Sequence, residues 1–170
     1  MIVISDTTPI ISLLKTEHLE LLYHLYGRIL IPKAVYKELT ENPLYLEEAE
    51  IIKATEFLSV VAVENMVSVN VLRSVTGLDT GESEALIMYD EQKADVLIMD
   101  EHKGRSVAKK LNVRVIGTAG ILMLAYDKGL LQASEVKKCL RIMLDNNIRL
   151  DKKICNIVLT HVGFSPEYYL

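Results

Sequence analysis

The chain has 170 residues, half of them apolar and a quarter charged, with a formal net charge of −4. That length suits one domain with a substantial core, and the composition reads as an ordinary soluble globular protein. The acidic balance argues against a DNA-binding module, which concentrates Lys and Arg, yet it is compatible with a nucleic-acid enzyme whose carboxylates are balanced by bound cations.

In chain order, the first apolar run, "IVIS" (2–5), predicts a strand that ends on Asp6, and "PIISLLK" follows it with helical spacing. "HLELLYHLY" predicts a helix closed by Gly27 as C-cap, and "RILI" (28–31) a second strand. Pro32 opens the helix "PKAVYKEL" at the position where a helix best tolerates proline. "LEEAEIIKATEFL" predicts another helix, and "SVVAV" (59–63) a third strand. "GESEALIMYDEQ" and "GRSVAKKL" are helical runs that flank a fourth strand, "VLIM" (96–99), and "VRVI" (113–116) is the fifth. "TAGILMLAYDKG", "ASEVKKCLRIMLDNN" and "DKKICNIVLTHVG" make the remainder helical.

Strands that are solid apolar runs alternating with helices imply a parallel sheet covered on both faces. With right-handed crossovers the expected fold is a three-layer α/β/α sandwich with a five-stranded parallel sheet. The C-terminal helices either pack on the sandwich or make a subunit contact. Their apolar stripes are wide enough for an interface, and a two-fold homodimer is the expected assembly. There is no internal repeat and no linker, so one domain is expected over 1–170, with a core to about 131 and a helical extension over 132–170.

No apolar run approaches the ~20 residues of a membrane span. The first residues lack the basic segment, apolar stretch and cleavage site of a signal peptide, which makes the cytoplasm the expected location. Cys139 and Cys155 share no C-x-x-C pattern and read as small buried hydrophobes. His18, His24, His102 and His161 show no metal-ligand spacing.

The carboxylates carry the functional signal. Ligands of open parallel sheets bind beyond the carboxyl ends of the strands, where strand order reverses. With the order 3-2-1-4-5, Asp6 and Asp100 end neighbouring strands and face one crevice. Glu38 lies about 60° around its helix from Val35, on the inward face marked by Val35 and Leu39, or at its margin reaching for water. In "LDTGESEAL", Asp79 fits an N-cap, and Glu82 is either its capping-box partner or a ligand sharing a face with Ala85, Leu86 and Tyr89. Glu84, on the face of Ile87, Met88 and Glu91, is a ligand in its place or a surface charge. Gathered carboxylates oppose folding unless cations sit among them, and an oxygen-only set suits Mg²⁺ or Mn²⁺ and phosphate chemistry.

"VISDTTPIISLLK", "LIPKAVYKEL", "LDTGESEALIMY" and "VLIMDEHKGRSVAKKLNVRVIGTAGILMLAYDKGLL" together resemble the PIN-domain family over residues 1–131. The resemblance implies a Mg²⁺- or Mn²⁺-dependent ribonuclease, with RNA as substrate and the toxin of a toxin–antitoxin pair as one role. Carried over by motif, the site acids fall on Asp6, Glu38 and Asp100, and a gap-free count back from Asp100 puts the third on Glu82. That position is usually Asp, so the longer Glu82 is a departure and Glu84 stays as its substitute. Thr7 matches the hydroxyl that follows the first acid, where it would orient a carboxylate or a metal-bound water. Arg105 and Lys103 are the expected phosphate contacts, with Lys109 and Lys110 either joining them or forming a solvated helix face.

Other acidic or phosphate-handling sandwiches fit less well. A receiver domain needs an acidic pair after the first strand and a lysine after the fifth, and "VIGTAG" has none. A haloacid-dehalogenase-type phosphatase needs a second Asp where this chain has Thr8. Walker and Rossmann glycine patterns are absent. A catalytically silent PIN-like module that binds nucleic acid or protein is the alternative function.

Overall fold

The structure, a computed structural model, describes residues 1–43 and 46–165. The expected extension therefore runs past them, with 166–170 outside the described residues. Five strands, β1 (Val3–Ser5), β2 (Ile29–Pro32), β3 (Leu58–Val61), β4 (Val96–Ile98) and β5 (Val115–Ile116), form one sheet in the order β3-β2-β1-β4-β5. Every neighbouring pair is parallel, and Ser5 stands opposite Ile98 in the central pair. The expected topology is the observed one.

The helices, in chain order, begin with α1 (Thr7–Lys15), α2 (Leu21–Tyr26), α3 (Lys33–Glu41), α4 (Leu46–Ala54) and α5 (Met66–Thr76). They continue with α6 (Thr80–Glu91), α7 (His102–Lys110), α8 (Thr118–Asp127), α9 (Ala133–Asp145) and α10 (Lys152–His161). Alternation along the strands sorts side chains into two cores, one on each face of the sheet. Val3, Val96 and Ile98 join α1, α2 and α8 to α10, whereas Ile4, Leu97 and Met99 join α5, α6 and α7. Both faces are covered, so even the short central strands are wholly buried.

Helix α5 falls in a stretch where no element was expected. Its sequence, "MVSVNVLRSVT", is rich in β-branched residues and buries only Val69, so it lacks the apolar stripe that marks a helix. Its ends define it instead. The Asn65 side chain accepts the Ser68 amide, and Gly77 closes the helix in the left-handed region at φ 66°. Pro32 ends β2 and caps α3 rather than starting the helix, its φ of −64° serving both elements. The expected long helix over 46–58 stops at Ala54, because Leu58 is taken by β3.

One apolar face of each of α9 and α10 is inside the molecule. Val136, Leu140 and Met143 of α9 and Val158 and Leu159 of α10 are fully buried in the first core. Leu144 of α9 and Ile154 and Ile157 of α10 remain exposed, at 38 %, 42 % and 57 %. Cys139 and Cys155 are free and buried, and burial pushes the Cys139 thiol up to about 11. Among the described residues no helix is long and apolar enough to cross a membrane.

Candidate active site

Strand order reverses between β1 and β4, and both strands end in acid. The Asp6 amide donates to the Ile98 carbonyl at 2.9 Å, prolonging the β1–β4 pairing by one step. By that register Asp6 stands opposite Met99, and Asp100 follows directly. Asp6 occupies the N-cap position of α1, yet its carboxylate makes no capping hydrogen bond to that helix. It is only 4 % exposed. Burial pushes its carboxyl group up to about 8, the Thr7 amide offsets this in part, and the charges of Asp79, Glu82 and Glu38 add to it. None of the ion pairs among the described residues involves Asp6.

Helix α3 delivers Glu38 to the same place. Val35 and Leu39 are buried, Glu38 is half-buried beside them, and Lys37 and Glu41 point to solvent. The Thr7 hydroxyl donates to Glu38 Oε2 at 2.8 Å, so the residue after the first acid holds the second.

The first turn of α6 carries the other acids. Asp79 and Glu82 form a reciprocal capping box: the Glu82 amide donates to Asp79 Oδ1 at 2.8 Å and the Asp79 amide to Glu82 Oε2 at 3.0 Å. Glu82 and Glu84 are each 7 % exposed. Glu84 accepts the Ala34 amide at 3.0 Å and so caps the start of α3. Glu82 retains its other oxygen, Oε1, which lies against Gly104 of α7, where an added Cβ would come within 2.8 Å. Desolvation raises the Glu82 carboxyl, the Asp79 amide and the Lys103 charge lower it, and the Asp79 and Glu101 charges raise it. Lys103 itself is committed to the Gly77 carbonyl at 2.6 Å.

Asp100 is held by α8. The Thr118 amide donates to Oδ1 at 2.7 Å and the Thr118 hydroxyl to Oδ2 at 2.6 Å. Desolvation raises its carboxyl group, while these two bonds and the Arg105 charge lower it. Arg105 Nη1 donates to the Met99 carbonyl at 2.9 Å, which fixes the guanidinium next to the acid. Gly117 makes that approach feasible, since a Cβ there would sit 2.7 Å from Asp100 Oδ1 and 2.9 Å from Arg105 Nη1.

The donor chemistry fits a hard divalent cation: carboxylate oxygens at a sheet's switch point, one of them buried without a counter-charge. The positions differ from a finished coordination shell. Among the described residues no group of three or more His, Cys, Asp or Glu side chains is placed to hold one ion. The acids accept hydrogen bonds from the Thr7 hydroxyl, the Asp79 amide and the Thr118 hydroxyl. Sequence reasoning did not single out Thr118 as the clamp on Asp100. Its signal was a hydroxyl at the start of a helix directly after the fifth strand, in "VIGTAG". Nor was Asp79 foreseen as a neighbour of Asp6, because its capping role was sufficient to explain it.

No curated protein and no solved structure matches the chain. A family model described as a PIN domain matches residues 2–163, which extends the likeness beyond residue 131 to the end of α10. With that match over nearly the whole chain, the chain belongs to the PIN-domain family.

Proposed function

We propose that this protein is a divalent-metal-dependent ribonuclease in which Asp6, Glu38, Glu82 and Asp100 hold Mg²⁺ or Mn²⁺. PIN domains are commonly nucleases and generally use divalent metal ions. The observation that carries the reading is Asp6, a buried carboxylate at the switch point with no ion-pair partner among the described residues. Its carboxylate makes no side-chain capping bond to α1, and only the Thr7 amide offsets its burial. When bound, the ion would supply Lewis acidity and an activated water for phosphodiester cleavage. The chain's own part is positioning. Thr7 holds Glu38, Thr118 holds Asp100, and Arg105 offers a cation to a phosphate beside the acids. Glu82 serves as the third acid in preference to Glu84, whose carboxylate is occupied at the start of α3.

The same reading makes RNA the substrate, an antitoxin protein a partner, a homodimer the assembly, the cytoplasm the location and 1–170 a single domain. The homodimer contact falls on α5, where Val67, Val71 and Val75 are 74 %, 57 % and 80 % exposed along one face. A second reading, a catalytically silent PIN-like binding module, draws on the absence of three converging acids among the described residues. Nuclease assays on single-stranded RNA separate the two: cleavage with Mn²⁺ that stops in EDTA and is lost in Asp6→Asn is expected. Cleavage that survives in Asp6→Asn would sink the proposed site, and no cleavage at all would favour the silent module.

A further inference from the structure

Glu82 takes its position from a short junction. Only Gly77 and Leu78 separate the last residue of α5 from Asp79, the N-cap of α6, and Asp79 is tied to Glu82 through the reciprocal capping box. Wherever the junction places Asp79, the carboxylate of Glu82 follows. Leu78 anchors the junction on its inner side, buried in the second core. On the outer side Gly77 closes α5, its amide donating to the Arg73 carbonyl at 2.7 Å. Its own carbonyl accepts the Lys103 ammonium at 2.6 Å.

That lysine belongs to the first turn of α7. A cation suits the place, because the C-terminus of α5 is the negative end of its dipole. Gly77 leaves room for it: a Cβ there would lie 2.9 Å from Lys103 Nζ. The next residue of α7, Gly104, is buried and lies against Glu82 Oε1, where a Cβ would come within 2.8 Å. Two consecutive residues of α7 thus meet the junction and the carboxylate that it carries. The sequence suggests Lys103 as a phosphate contact, but its ammonium donates to this chain's own backbone.

We propose that Lys103 is a positioning residue for Glu82. By bonding the Gly77 carbonyl it latches the α5–α6 junction to the first turn of α7, which fixes the capping box and sets Glu82 Oε1 beside Gly104. In this role the lysine touches neither metal nor RNA. The proposal rests on the reading of Glu82 as a metal-binding acid, and it extends the site to the C-cap of α5.

The test titrates Mn²⁺ alone into the protein by calorimetry, with no RNA present, and sets initial rates on single-stranded RNA beside it. Lys103→Met should weaken Mn²⁺ binding roughly 10-fold, and lower kcat with KM for RNA unchanged. Lys103→Arg, whose guanidinium can donate to the same carbonyl, should recover most of both. Gly77→Ala keeps the lysine charge but drives Nζ off the carbonyl, so it should weaken Mn²⁺ by a similar factor. The double variant should be little worse than either single one. Asn65→Ala, which removes the cap at the other end of α5, should lower the melting temperature and leave Mn²⁺ affinity as in wild type. Unchanged Mn²⁺ affinity in Lys103→Met would overturn the latch while the ribonuclease reading stands. A raised KM with a flatter salt dependence in that variant would make Lys103 a phosphate contact instead. Weakening in Lys103→Met but not in Gly77→Ala would replace the latch by a charge effect, and equal weakening in Asn65→Ala would reduce it to general stability. A wild type that neither takes up Mn²⁺ nor cuts RNA would remove the metal reading, and the latch with it.

Discussion

Thr7 Oγ1 donates to Glu38 Oε2 at 2.8 Å, joining residues 31 positions apart in the chain. The bond links the start of α1, directly after β1, to the last turn of α3, and Thr118 does the equivalent for Asp100 from α8. Each of these acids thus has a hydroxyl supplied by a neighbouring element that fixes its rotamer. Groups that orient ligands in this way typically matter nearly as much as the ligands.

Thr118→Val should therefore lower RNA cleavage by roughly 10- to 100-fold while Asp100 itself remains. The variant loses the Oδ2 bond and keeps the amide bond to Oδ1, so its stability should fall by about 1–2 kcal/mol. Thr118→Ser should recover most of the activity. Initial rates and urea melts of the three proteins check this, and unimpaired cleavage by Thr118→Val would deny the hydroxyl a positioning role.

Glu82→Gln and Glu84→Gln should separate chemistry from architecture. Glu82→Gln removes a charge from the proposed metal set and should lose most cleavage, with at most about 1 kcal/mol of stability through a weaker capping box. Glu84→Gln weakens the cap on α3 and should cost about 0.5–2 kcal/mol with activity largely retained. Rates and melting temperatures showing the reverse order would assign the third acid to Glu84.

Stability of the metal-free protein should depend on pH through Asp6. Its carboxyl is raised from 3.8 to about 8 in the folded state, so the folded protein holds this proton where the unfolded chain has released it. The advantage to the fold is full below the unfolded value and is lost as pH rises through about 8. The loss over that window is on the order of 5 kcal/mol for a shift of this size. Divalent metal should restore stability at neutral pH, by about 2.7 kcal/mol at a hundredfold excess over the dissociation constant. Melting curves in EDTA across pH 4 to 8, for wild type and Asp6→Asn, read this directly. The Asn variant should have a flatter profile and a smaller response to Mn²⁺. A flat wild-type profile in EDTA, unmoved by Mn²⁺, would mean that Asp6 is not a destabilised acid awaiting a cation.

Assembly should depend on α5. Val71 sits at the middle of the exposed face and contributes nothing to the core, so Val71→Glu should leave the melting of the subunit unchanged while halving the mass seen by light scattering. A wild-type protein that scatters as one subunit at micromolar concentration would dispose of the homodimer.

The strand order, the two-core sandwich and the placement of Asp6 and Asp100 were legible in the sequence, and for one reason. Buried parallel strands are short solid apolar runs, and an acid directly after such a run must stand at the carboxyl end of the sheet. Glu38 was legible because α3 has one wet face, and periodicity tells its sides apart. Periodicity failed on α6, where residues 81–86 are all buried, so Glu82 and Glu84 looked alike until neighbouring elements distinguished them. One turns to its own N-cap and Gly104, the other to the amide of Ala34, fifty positions away. Helix α5 was missed because most of its apolar residues face solvent and its definition lies in its caps. Which faces of α9 and α10 are buried, the Thr118 clamp and the Arg105 bond to the Met99 carbonyl were likewise decided only by the tertiary structure. Each depends on which chain-distant surfaces meet. A sequence pattern records how a segment divides between water and core, but not which neighbour supplies the hydrogen bond or the opposite wall.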